Sequence, residues 1–173
     1  LRLRRLTAQQ NISLYLKIGG VEALRDIKDA LDLGVGGLIA PMVESPFGVI
    51  KFSSAVESVF EKQKLFKSIN IETRASVEKI DQILEVANDK VDNITIGRTD
   101  LSRSYFDPAI KPDCSFIIEL IETLSCKIQA SGLTLAVGGS LTSESIRLFR
   151  KRENRLDNRV SSIETRKIIL PFD

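Results

Sequence analysis

Ser68-Ile69-Asn70-Ile71-Glu72 and, one helix further on, Asn93-Ile94-Thr95-Ile96-Gly97 are the stretches whose reading decides the fold. In each, apolar and polar side chains alternate, so the isoleucines share one face of an extended strand and the polar residues share the other. Between them Val77, Ile80, Leu84 and Ala87 recur at three- and four-residue steps, the period of a helix with one packed face. A strand, a helix and a second strand of like character make a βαβ unit, whose strands run parallel.

The same alternation extends in both directions. Towards the N-terminus, Gly37 to Val43 is a buried strand, followed by Ser45 and Pro46 as N-cap and first residue of a helix carrying Val49, Phe52, Val56 and Val59. Ser13 to Ile18 is a strand closed by Gly19-Gly20, and Val21, Leu24, Ile27 and Leu31 form a helical stripe after it. Leu1 to Gln9 is a leading helical scrap. Towards the C-terminus, a looser stretch with Pro108 and Pro112 leads to a long helix through Ile117, Leu120, Leu124 and Ile128. Leu133 to Gly138 then reads as a strand, Ser143 to Arg152 as a helix, and Val160 to Leu170 as the last extended segment. Strict β–α alternation implies right-handed crossovers and a parallel sheet, either doubly wound and open or closed as a (β/α)8 barrel. No composition shift marks a second domain.

Composition narrows the chemistry. The 173 residues include 25 Lys and Arg, 23 Asp and Glu, and no His. Catalysis that uses a histidine of this segment is excluded, as is His-ligated zinc or haem. A net charge of +2 is too balanced to suggest nucleic acid or an anionic membrane surface as partner. The basic clusters, Arg2-Leu3-Arg4-Arg5 and Arg147 through Arg159, read as solvated faces rather than a phosphate-binding patch. No apolar run approaches the ~20 residues of a membrane span, no signal-peptide pattern opens the chain, and the reading is cytoplasmic. Cys114 and Cys126 read as reduced thiols on one helix.

In parallel α/β folds, ligands bind at the carboxyl ends of the strands. Those ends carry Lys17 with Gly19-Gly20, Glu44, Glu72, Arg98 with Asp100, Gly138-Gly139-Ser140, and Glu164 with Arg166. Carboxylates converging without His or Cys suit a hard, oxygen-loving cation such as Mg²⁺ or Mn²⁺. Lys and Arg beside them suit an anionic substrate, and the Gly-Gly turns let backbone amides approach it. Local alternatives stand beside each: Glu44 can simply favour a helix N-terminus, and Glu164 with Arg166 reads as a structural ion pair. Neither Gly-Gly turn is a GxGxxG or P-loop motif, which leaves a nucleotide-binding reading with little support.

Ile71-Glu72-Thr73-Arg74 followed by Ile96-Gly97-Arg98-Thr99-Asp100-Leu101-Ser102 resembles the paired motifs of the HpcH/HpaI aldolase and citrate lyase family. Leu31-Asp32-Leu33-Gly34 with Ile39-Ala40-Pro41-Met42-Val43-Glu44 resembles a further motif of that family, and Leu16-Lys17-Ile18-Gly19-Gly20 and Glu164-Thr165-Arg166-Lys167 resemble a bacterial subgroup. The resemblance implies a (β/α)8 TIM barrel, homo-oligomers, a divalent metal, and cleavage or formation of a C–C bond at a 2-oxo acid or acyl-CoA ester through a metal-stabilised enolate. It assigns Glu72 and Asp100 as metal ligands. Asp100 follows Glu72 by 28 residues, about one βα unit, which puts the two on adjacent strand ends.

The sequence departs from better-known members by offering Lys17 where they hold the substrate carboxylate with an arginine, and by lacking their acid–base histidine. The resulting expectation is a Mg²⁺- or Mn²⁺-dependent aldolase or lyase on a small carboxylate. Lys17 and Arg98 are its charge-neutralising catalytic residues, and Lys17, Glu44, Thr99, Gly138 and Gly139 contact the substrate. The alternative is a non-catalytic homologue that retains the metal site as a binding or scaffold protein. A full barrel takes about 250 residues, so residues 1–173 are expected to form one partial barrel of about strands 2–7.

Overall fold

The computed structural model describes residues 2–61, 63–151 and 156–172. Its elements are α1 (Arg2–Gln9), β1 (Tyr15–Lys17), α2 (Leu24–Leu33), β2 (Gly37–Ala40), α3 (Pro46–Phe60), β3 (Phe66–Ile71), α4 (Arg74–Glu78), α5 (Ile80–Ala87), β4 (Asn93–Gly97), α6 (Arg98–Arg103), α7 (Ser115–Ala130), β5 (Thr134–Gly138), α8 (Ser143–Phe149), β6 (Ser162–Glu164) and β7 (Ile169–Pro171). The strands pair in chain order, β1 through β6 all parallel, with β7 antiparallel to β6. A doubly wound sheet reverses its strand order at a switch point. Here the order never reverses, so each crossover advances in one direction, and the sheet is an arc of TIM-barrel wall.

The two faces of the arc differ in chemistry. Leu38, Ala40, Ile69, Ile71, Ile94, Ile96, Leu135 and Val137 point outward and are buried in one cluster with Ile27, Phe52, Ile83, Ile117 and Leu124 of the surrounding helices. Each fully buried large aliphatic contributes about 1.5–3 kcal/mol, and this seam holds the arc together. The inner face is polar. Asn93 donates to the hydroxyls of Ser68 (2.8 Å) and Thr95 (3.2 Å), Thr134 donates to Asn93 Oδ1 (2.9 Å), and the Ser68 and Thr95 hydroxyls lie 3.3 Å apart. At the foot of the arc the rings of Tyr15 and Phe66 stack at 4.9 Å.

Local signals explain most boundaries. Ser45 Oγ accepts from the Gly48 amide ahead of Pro46, and Gly34 ends α2 in the left-handed region at φ 63°. Leu24, expected on the packed stripe of α2, is exposed, and Ile27 and Ala30 carry the burial instead. The helix expected from Val77 to Ala87 breaks at Lys79, after a reciprocal Thr73–Ser76 cap starts α4. Cys114 precedes α7 and Cys126 lies within it; twelve helical residues separate them by about 18 Å, so both are free thiols. The segment expected as one extended run from Val160 to Leu170 is a hairpin. Thr165 to Ile168 turns the chain back, with the Thr165 amide donating to the Ile168 carbonyl at 2.9 Å, and β7 then pairs the outer edge of β6. Of the basic cluster, Arg147 pairs with Glu144 on α8, whereas Arg152 and Arg155 lie outside the described residues.

Candidate active site

Glu72 follows β3 with its side chain on the inner face and is 2% exposed. A carboxylate this buried must find donors. Its Oε1 accepts from the Met42 amide at 3.0 Å and its Oε2 from Asn70 Nδ2 at 3.1 Å, while Lys17 Nζ lies 3.7 Å from Oε2. Met42 holds φ 52°, a conformation rare for a side chain of this kind, and there its amide serves Glu72. The carboxylate leans over Gly97: a Cβ at that position would stand 2.4 Å from Oε2. Lys17 is 46% exposed along its side chain, so its ammonium faces both Glu72 and solvent.

Asp100 lies one strand along, in the first turn of α6, half-buried. Among the described residues its carboxylate has no side-chain hydrogen bond or ion pair, and it is free to take a ligand. Thr99 beside it shares a 2.8 Å hydrogen bond with the Ser140 hydroxyl, joining the mouths of β4 and β5. No group of three or more His, Cys, Asp or Glu side chains is gathered for a metal among the described residues. The donor set at this mouth is two carboxylates. That suits Mg²⁺, which typically takes one or two carboxylates and completes its shell with water and substrate oxygens.

Several expected contacts are placed differently. Arg98 is fully buried. It donates to the carbonyls of Gly138 (3.2 Å), Gly139 (2.7 Å) and Pro112 (3.3 Å), pairs with Asp113, and lies over the Phe149 ring. Ser145 hydrogen-bonds the other Asp113 oxygen at 3.0 Å. Burial pulls the guanidinium below its usual range, with Asp113 opposing. Arg98 therefore anchors the loop before α7, its donors taken by Asp113 and backbone carbonyls. Gly138 and Gly139 correspondingly present carbonyls to Arg98. At φ 85°, Gly139 packs so closely on α6 that a Cβ would stand 2.6 Å from the Thr99 amide nitrogen. Glu44 is exposed on the loop after β2. Gly19, read as an anion contact, gives its amide to Asp26 at 2.7 Å.

Glu164 is also not as expected. Arg166 is exposed in the hairpin turn, and no ion pair joins it to Glu164. Glu164 instead faces inward. Burial pushes its carboxyl above the ordinary range, against the nearby Lys17 charge, with Glu72 reinforcing the rise and a Thr95 hydrogen bond opposing it.

The motif order and the fold point the same way as the family comparison. The family model for HpcH/HpaI aldolase/citrate lyase matches residues 3–107, more than half of the chain. The chain belongs to this family. Solved structures of similar fold include an HpcH/HpaI aldolase from Desulfitobacterium hafniense DCB-2, at TM-score 0.69 and 19% identity over 84% of this chain and 64% of that one. An HpcH/HpaI aldolase/citrate lyase family protein from Burkholderia cenocepacia J2315 aligns at TM-score 0.72 and 14% identity, covering 93% of this chain and 70% of that one. The citrate synthase SbnG aligns at 0.68 and 22%, covering 86% and 65%. The chain thus spans less than two thirds of the length of the Desulfitobacterium aldolase. A sequence search of characterised proteins gives no match. Within the HpcH/HpaI fold, Glu72 and Asp100 occupy strand mouths, as the motifs imply.

The sequence reading missed Met42, Asn70, Asp113 and Ser145. Only Asn70 carried a legible signal, because the period of two that puts Ser68 and Glu72 inward puts Asn70 there as well.

Proposed function

We propose that this chain carries the catalytic mouth of a divalent-metal-dependent carbon–carbon lyase acting on a 2-oxo acid or a related acyl-CoA ester. The observation that supports this most is the buried Glu72 carboxylate held beside the half-exposed Lys17 ammonium, over a glycine that leaves room for it. Protein interiors rarely keep an ionised carboxylate at such depth without a function or a full set of partners. Here the partners are two neutral donors and one loosely held ammonium.

Glu72 and Asp100 are the residues that would hold Mg²⁺ or Mn²⁺. Bound there, the ion would supply Lewis-acid stabilisation of charge developing on substrate oxygens. The chain's own groups do the rest. Lys17 meets the substrate carboxylate as a point charge, without the two-pronged grip of an arginine. Met42 and Asn70 hold Glu72 in one orientation by their hydrogen bonds, which fixes the site before substrate arrives. The Thr99 and Ser140 hydroxyls offer donors at the rim. The same reading makes the protein a cytoplasmic homo-oligomer with a small carboxylate as its ligand.

The test is pyruvate release from 4-hydroxy-2-oxobutanoate with added Mg²⁺. Turnover that disappears in excess chelator, and in Asp100→Asn with its circular dichroism unchanged, is the expected result. Full turnover in chelator overturns the metal assignment, and metal binding with no turnover favours a binding protein instead.

A further inference from the structure

Four inner-face positions line one level of the mouth across adjacent strands: Glu72 just past β3, Gly97 on β4, Gly138 on β5 and Glu164 on β6. The pairing register places Ile71 beside Ile96, and Gly97, Gly138 and Glu164 side by side. Two glutamates therefore flank two glycines. A Cβ at Gly97 would strike Glu72, and one at Gly138 would stand 3.1 Å from the Glu164 Cβ and 3.0 Å from its carbonyl. Each glycine makes room for the glutamate of the neighbouring strand, which lies over it, and Lys17 acts on both carboxyl groups.

The two carboxyl groups are not equivalently served. Both oxygens of Glu72 accept hydrogen bonds from the protein. Among the described residues Glu164 Oε2 is buried without a partner, as is Asn70 Oδ1 on β3. An oxygen acceptor hidden from water and left unpaired costs about 1–3 kcal/mol, and Glu164, unlike Asn70, carries an acidic group that can take up a proton there. The one cation next to it in sequence, Arg166, is turned out to solvent. What Oε2 lacks among the described residues is a donor.

We propose that Glu164 is a catalytic residue whose Oε2 accepts the proton of the substrate hydroxyl during carbon–carbon cleavage. The inference rests on the lyase reading above. In a 4-hydroxy-2-oxo acid, the hydroxyl proton passes to Glu164 as the C3–C4 bond breaks. The electron pair of that bond goes to the enolate of the departing 2-oxo acid, and the hydroxyl carbon leaves as an aldehyde. The reverse sequence forms the bond, with the proton returned from Glu164 to the new alkoxide.

The test compares the chain with Glu164→Gln, which keeps shape and removes the base. With Mg²⁺ present, kcat for 4-hydroxy-2-oxobutanoate is expected to fall by about 100-fold or more. KM, and calorimetric binding of oxalate as a non-reacting dianion, are expected to stay within about threefold. Cleavage retained in the variant overturns the role. Loss of oxalate binding together with cleavage also overturns it, because Glu164 would then be shaping the site rather than moving a proton. If the unsubstituted chain binds oxalate but cleaves nothing, the lyase reading fails first and takes this inference with it.

Discussion

Glu72 and Arg98 are both buried charges at strand mouths, one strand apart and both drawn from the motifs that decide the family. Their surroundings differ in a way that separates function from architecture. Arg98 spends its guanidinium on Asp113 and three carbonyls and is fully enclosed. Glu72 has two neutral donors and an ammonium at 3.7 Å, on the side that faces solvent. A charge saturated by its own fold is an anchor, and a charge held in position but incompletely neutralised is available to a ligand. Residue type and strand-end location cannot tell the two apart; partner count and direction can.

The largest effect should come from breaking the anchor. Arg98→Met removes the partner of Asp113 and the donor to the Gly138, Gly139 and Pro112 carbonyls. Each buried carbonyl left without its donor costs about 1–3 kcal/mol, and Asp113, 31% exposed along its side chain, loses its partner as well; the sum is measurable as a shift in the urea midpoint. Glu72→Gln is its counterpart. It keeps the shape and an acceptor for the Met42 amide, so urea stability should change little, while Mg²⁺-dependent pyruvate release should drop by about 100-fold. Equal stability losses for the two variants would erase the distinction.

Gly97→Ala probes the distinction indirectly. Its Cβ cannot coexist with Glu72 Oε2 at 2.4 Å, so the carboxylate must move. Displacing a ligand's support costs about 10–100-fold in metal affinity, measurable by Mn²⁺ titration. The smallest effect on stability is expected at Glu164. Because burial raises its carboxyl in the folded chain, the fold binds this proton more tightly than the unfolded chain. The stabilisation is present at low pH and is lost as pH rises through the folded value. Glu164→Gln should therefore melt higher than the unsubstituted chain at pH 8, with the gain shrinking towards pH 5. The charges facing it from neighbouring elements are Lys17 and Glu72, and they persist in both proteins.

The outer face of the sheet was legible because apolar periodicity records burial directly: Ile69, Ile71, Ile94 and Ile96 all pack as alternation requires. Strand ends were legible too, and Lys17 with Glu72 came together as their positions suggested. The choice between barrel and doubly wound sheet is set by spatial strand order, to which alternation is blind; there the motif resemblance decided. Arg98 was misplaced because a strand-end arginine looks the same whether it turns to the mouth or under the next loop. Its true partner, Asp113, is fifteen residues on, in a segment without periodicity. Met42 was invisible because its contribution is a backbone amide aimed by a positive φ. Glu164 was paired with the wrong neighbour, since the hairpin that turns Arg166 outward depends on β7 folding back onto β6.

The most direct test of the mouth as a metal-dependent site is Mn²⁺ binding, read by electron paramagnetic resonance in the presence of oxalate, for the unsubstituted chain and for Glu72→Gln and Asp100→Asn. One tightly bound Mn²⁺ per chain, lost or weakened at least tenfold in both variants while their circular dichroism is unchanged, is the expected result. Undiminished binding in both variants would contradict the assignment of Glu72 and Asp100.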